Sequence, residues 1–203
     1  MHPEHSMTSF SSAVEASIRG SSARTLLKAT TRDLHERVDA RFSMSGDSTR
    51  DGYRNMLLAH ARILPPLEEK LARSLHVRSI PHMDSRWRSS HLREDLRALN
   101  CEVPTPMNMS FDDAAPSVAG IMYVLEGSRI GSGFLLKQVL RNTQEMPVAF
   151  LSHGREQKLW PSFVAWLDAE PWTEDDRLRM RESARSIFSA YLEAAERTST
   201  ENQ

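Results

Sequence analysis

The chain holds one cysteine, Cys101, so no internal disulfide can form, and a reducing, cytoplasmic setting is expected. No stretch approaches about 18 consecutive apolar residues, so no transmembrane helix is expected. The start, Met1 to Phe10, is polar and lacks the apolar core of a signal peptide, and the tail, Arg197 to Gln203, is polar too. A membrane is therefore not an expected partner. Charge of one sign is also missing. Lys+Arg total 26 against 27 Asp+Glu, and phosphate neutralisation needs clustered excess base, so nucleic acid is not an expected partner either.

Several chemistries lack their residues. Zinc would want paired Cys/His spacing, which is absent. A di-iron carboxylate bundle needs two Glu-x-x-His pairs; His91-Leu92-Arg93-Glu94 is single and runs the wrong way. There is no Gly-Lys-Ser/Thr phosphate loop and no flavin or nicotinamide fingerprint. Glu126-Gly127-Ser128-Arg129-Ile130-Gly131 is not a hydrolase elbow. Strand alternation, hairpin signals and repeats are missing as well.

What is present is helical periodicity over a chain long enough to bury its own core. Residues 1–21 read as a flexible N-terminal arm, 22–197 as one helical domain and 198–203 as a flexible tail. Ser21 or Ser22 can cap a first helix running to about Phe42, followed by a loop over Ser43 to Asp47. A second helix starts near Asp51. Pro65-Pro66 is expected to break or kink it, with Pro65 opening a new segment to Leu75. A short helix over Arg88 to Leu99 and a proline-bearing connection over Val103 to Met109 come next. The longest apolar helix covers about Ala114 to Leu140. A further helix spans Arg155 to Leu167, and the last starts near Thr173. The fold class is all-α, a single bundle of about six to eight helices.

Two segments carry candidate chemistry. On a helix, Lys28, Thr31, Arg32, His35, Val38 and Asp39 form one stripe. Lys28 lies two turns from His35, about 10 Å along the axis. That separation suits a flat ligand with iron at its centre and carboxylates at its rim, although a lone histidine on such a face is usually a packing or surface residue. The second segment is Gly120 to Gln138. Gly127 and Gly131 lie one turn apart, with Gly133 close behind, and each glycine costs the helix about 1 kcal/mol against alanine. Close helix packing would compensate. So would a backbone surface left bare for a planar ligand and a small gas.

Together these segments resemble the heme oxygenases, most closely the soluble bacterial members associated with phytochromes. The carrying residues are Leu26 to Val38 and Met122 to Gly131, with lesser support from Leu92 to Leu99 and Trp160 to Phe163. The similarity spans about residues 24–195. It implies a heme oxygenase-type bundle in which heme b is both substrate and cofactor, sandwiched between a helix bearing the iron ligand His35 and a kinked helix at Gly127 to Gly133. It implies Lys28 beside a propionate, Tyr123, Arg129 and Phe134 as further heme contacts, and Gly127, Ser128 and Gly131 on the catalytic side.

The implied reaction consumes O2 and external reducing electrons and yields biliverdin, iron and carbon monoxide. A ferredoxin or a flavoprotein reductase would donate the electrons, and a bacterial phytochrome would receive the biliverdin. Two departures stand out. Many relatives carry an aspartate where this chain has Ser128, and a glycine where it has Ser132. A non-degrading heme sensor or carrier is therefore the alternative.

Overall fold

A computed structural model describes residues 20–43, 49–142 and 146–201. All but the end of the expected N-terminal arm, and residues 44–47 of the expected loop, lie outside them. Eight α-helices are described: α1 (Ala23–Thr30), α2 (Arg32–Phe42), α3 (Thr49–Arg73), α4 (Ser89–Ala98), α5 (Ala115–Asn142), α6 (Ala149–Ser152), α7 (Leu159–Ala169) and α8 (Glu174–Glu201). Two short 3₁₀ turns, His76–Ser79 and Met83–Ser85, join α3 to α4. No strand occurs among the described residues. The all-α expectation holds.

The expected first helix is two. Ser22 caps it, its Oγ accepting from Thr25 N at 3.3 Å. At Thr31 the backbone leaves the helical region (φ −114°, ψ 2°), where the side-chain hydroxyl bonds the Leu27 carbonyl at 2.7 Å. The backbone bonds Thr31 N to Leu27 O and His35 N to Thr31 O still cross the joint. The stripe from Lys28 to Asp39 therefore survives the bend.

The Pro65-Pro66 break does not occur; α3 runs through both prolines to Arg73. Pro66 leaves the Arg62 carbonyl without its helical donor, and Met107 N takes that place at 2.8 Å. The connection between α4 and α5 thus repairs the helix it crosses. The expected helix at Arg155 begins only at Leu159, because Gly154 at φ 75° and Lys158 at φ 49° hold a left-handed turn before it.

Helix α8 starts from a reciprocal cap. Thr173 Oγ1 accepts from Asp176 N, and the Asp176 carboxylate accepts from Thr173 N. The helix continues to Glu201, past the expected tail boundary at 197. Thr198 is buried and accepts from Arg62 Nε at 3.2 Å, while Arg62 also pairs with Glu201. A buried guanidinium anchors residues that polarity alone assigns to solvent.

Helix α8 packs along α5 and also touches α1, α2 and α3. At the α5–α8 crossing a side chain on Gly120 would overlap the Met180 carbonyl group. Close approach of backbones, not a turn, requires glycine there. The crossing sets the depth of the space between α1–α2 and the second half of α5.

Candidate functional site

That space is a cavity of about 630 Å³, within the size range of small-molecule sites. It is lined by α1 and α2 through Lys28, Thr31 and His35, by α5 through Tyr123, Gly127, Ser128, Gly131 and Phe134, and at depth by His60, Phe150 and Tyr191. Seven of the eight residues to which the resemblance gives a site role meet around one space.

The His35 ring packs edge-on against Phe188, centroids 5.6 Å apart. Its Nδ1 lies 2.9 Å from Asp39 Oδ2, one turn on. An Nδ1–H donated to that carboxylate leaves Nε2 with a free lone pair, the arrangement that orients metal-binding imidazoles. Arg24, Lys28 and Arg32 also line the cavity, and among the described residues none has an ion-pair partner. Such a row of unpaired cations is suited to a carboxylate-bearing ligand.

The opposite wall is the glycine-bearing face of α5. The helix stays continuous through Gly127, Gly131 and Gly133. A side chain on Gly131 would meet nothing within 4 Å, and one on Gly127 would touch Trp160 at 3.6 Å, an ordinary contact. Of the two compensations open to these glycines, close helix packing belongs to Gly120 instead. The Gly127–Gly131 face is bare backbone toward the cavity. Phe134 is 68% exposed at the rim. Tyr123 lies beside Thr31, and burial pushes its phenol pKa up.

Arg129 is the one expected contact that does not line the cavity. Its guanidinium bonds Glu126 at 3.0 Å, the Arg86 carbonyl at 2.6 Å and His153 Nδ1 at 3.1 Å, on the far side of α5. Glu126 is buried and also pairs with Arg86. A rotation of about 100° about the helix axis separates a cavity-facing residue from its sequence neighbour, and a motif read as a string does not show it.

Two participants carry no sequence signal strong enough to assign. Arg88 is fully buried, and its Nη2 donates to Ser128 Oγ at 2.7 Å. Burial, and then the Arg129 charge, pull its pKa down to about 10. His60 is buried, with Nδ1 2.8 Å from the Met56 carbonyl; burial, the largest effect, brings its pKa down to about 4. Its imidazole is neutral at ordinary pH. Asp39 was visible in the stripe. Its i+4 spacing from His35 is the signal for its role.

The all-helical bundle thus sets an imidazole on one wall of this cavity and bare helix backbone on the other. The chain belongs to the heme oxygenase family, whose model, described as heme oxygenase, matches residues 21–197. Heme oxygenase PigA of Pseudomonas aeruginosa is 29% identical over 181 residues, covering 85% of this chain and 90% of that one. The NO- and CO-bound heme oxygenase of Neisseria meningitidis superposes with TM-score 0.70 at 23% identity, covering 87% and 92% of the two chains. The heme oxygenase of Leptospira interrogans gives 0.68 at 19%, covering 86% and 98%. These two likenesses are of fold.

Proposed function

We propose that this protein opens the ring of heme b to biliverdin, iron and carbon monoxide, using O2 and electrons from an external donor such as a ferredoxin or a flavoprotein reductase. The observation that carries the reading is the single cavity joining His35, three unpaired cations and the bare Gly127–Gly131 face. Heme, when bound, supplies the iron that activates O2 and the carbon framework that is cleaved. His35 Nε2 would hold the iron, its ring oriented by Asp39. Lys28, with Arg24 and Arg32, binds propionate. Gly127 and Gly131 let the backbone come close, and Tyr123 and Phe134 flank the ring.

Ser128 is limited in what it can do. Its proton goes to the Leu125 carbonyl at 2.7 Å, and one lone pair is taken by Arg88. It can accept a hydrogen bond from a water in the cavity but cannot donate one without breaking the Leu125 bond. This favours, as a second reading, a heme carrier or sensor that does not degrade its ligand. Supply of biliverdin to a bacterial phytochrome rests on the sequence resemblance alone.

Hemin titration of wild type and His35→Ala tests the site. Wild type should give a Soret band with histidine ligation, lost in the variant and restored by added imidazole. A single turnover of the hemin complex with O2 and ascorbate tests the reaction. Persisting heme bands, with neither bile pigment nor carbon monoxide, would leave the carrier reading.

A further inference from the structure

Three of the four tryptophans stand in one row with a tyrosine, and the heme site alone does not account for it. Tyr123 and Trp160 both line the cavity, ring centroids 5.7 Å apart. Trp160 meets Phe163 at 6.1 Å, Phe163 meets Trp166 at 5.6 Å, and Trp166 meets Trp172 at 6.0 Å. Each step is ordinary aromatic packing. The row as a whole leads from the cavity wall, along α7, to a partly exposed indole in the α7–α8 connection.

Indole and phenol are among the side chains most easily oxidised by one electron. Phenylalanine is not, so Phe163 serves as the medium between Trp160 and Trp166. The hydrogen bonds differ along the row. Trp166 Nε1 is the one buried side-chain nitrogen or oxygen among the described residues without a partner. An oxidised indole becomes acidic at that N–H. With no acceptor, Trp166 keeps its proton and passes the electron vacancy on. Trp172 Nε1 donates to the Leu167 carbonyl at 2.8 Å, which favours positive charge on that ring. The vacancy comes to rest where solvent reaches it.

We propose that Trp160, Trp166 and Trp172, with Tyr123 at the cavity end, form an escape route for oxidising equivalents generated at heme in this cavity. The route rests on the heme reading above. Its oxidant is a peroxide reduced at the heme outside the productive reaction. Hydrogen peroxide takes up two electrons and two protons from water and leaves as two waters. The bound heme supplies one electron. The row supplies the other: Trp160 gives it to the heme, Trp166 refills Trp160, and Trp172 refills Trp166. The vacancies on Trp172 and on the heme are then filled by an external one-electron donor such as ascorbate. Without that donor, the Trp172 radical returns a second electron along the row to the heme and takes up a water, losing two protons, so that the heme is restored and a hydroxylated indole remains.

The test uses the ferric hemin complex, one equivalent of hydrogen peroxide and no reductant. Rapid-freeze electron paramagnetic resonance reads the radical, and peptide mass mapping reads oxygenated tryptophan. Trp87, partly exposed but off the row, is the internal control. Expected are an indole radical and oxygenation of Trp172 several-fold above Trp87. Trp166→Phe should cut Trp172 oxygenation several-fold, and Trp172→Phe should move the radical to Trp166. Equal marking of Trp172 and Trp87, or marking untouched by Trp166→Phe, overturns the route. A missing Soret band on adding hemin overturns the heme reading instead, and is seen before any peroxide is added.

Discussion

Arg88 and Ser128 are joined by a 2.7 Å hydrogen bond in which a fully buried guanidinium donates to a hydroxyl. No carboxylate pairs with the Arg88 side chain among the described residues; the nearest acids are otherwise engaged. Glu126 holds Arg86 and Arg129, and Glu68 accepts from the backbone N–H groups of Arg88 and Ser89. Of the three guanidiniums, Arg86 and Arg129 thus share Glu126, and that of Arg88 is left with the Ser128 hydroxyl. Ser128→Ala strands a buried donor and should cost about 1–3 kcal/mol. Ser128→Asp keeps an acceptor and adds the missing charge, so it should be more stable than Ser128→Ala and turn heme over faster than wild type. Urea titrations and single-turnover rates check both; an aspartate variant that is slower than wild type sinks the second half.

Asp39 should act on the iron through His35. A carboxylate accepting from Nδ1–H fixes the ring's orientation and makes Nε2 a stronger electron donor to iron. Asp39→Ala should weaken hemin binding and raise the reduction potential of the bound iron, with the Soret band kept. Spectroelectrochemistry reads this directly. An unchanged potential would mean that the carboxylate turns to solvent once heme is in place.

Acid should destabilise the protein through His60. Its pKa drops from 6.5 to about 4 on folding, mainly by burial, with the Met56 carbonyl opposing and Arg88 reinforcing. The rings of Phe42, Phe150 and Tyr191 surround it. Between these two values the unfolded chain holds a proton that the folded one does not. Stability is therefore flat above pH 6.5 and falls as pH drops toward 4, by up to about 3 kcal/mol from this group. His153, also lowered to about 4, adds in the same direction. Urea midpoints between pH 4.5 and 7.5 should show the slope, and His60→Gln should flatten it. A variant with the wild-type slope would assign the effect elsewhere.

Much of the helical plan was legible from periodicity and caps: Ser22, Thr173 and the span of α5 all fell close to where the pattern put them. The misses are tertiary. Pro65-Pro66 reads as a break because a proline's cost is local, whereas the donor that offsets it, Met107, arrives from 41 residues later in the chain. The tail reads as loose because its partner, Arg62, sits in another helix. In the site, His35 and Lys28 were visible through spacing and Gly127–Gly131 through composition. Arg88 was not, because nothing local distinguishes a buried arginine from a solvated one. Arg129 was placed on the wrong side of its helix for a related reason: a motif lists residues in order and not by face.

The two kinds of glycine on α5 should separate cleanly by substitution. At Gly120 a methyl group collides with the Met180 backbone, which no rotamer change can relieve. Gly120→Ala should therefore cost at least about 1–3 kcal/mol by forcing α5 from α8. At Gly131 the methyl group enters open space, and alanine gains about 1 kcal/mol of helix propensity. The ligand-free Gly131→Ala protein should be more stable than wild type, yet bind hemin more weakly, because the methyl group occupies the approach surface. Thermal melts of the ligand-free proteins and parallel hemin titrations give both readings. If Gly131→Ala binds hemin as wild type does, the bare face of α5 is not where the ring lies.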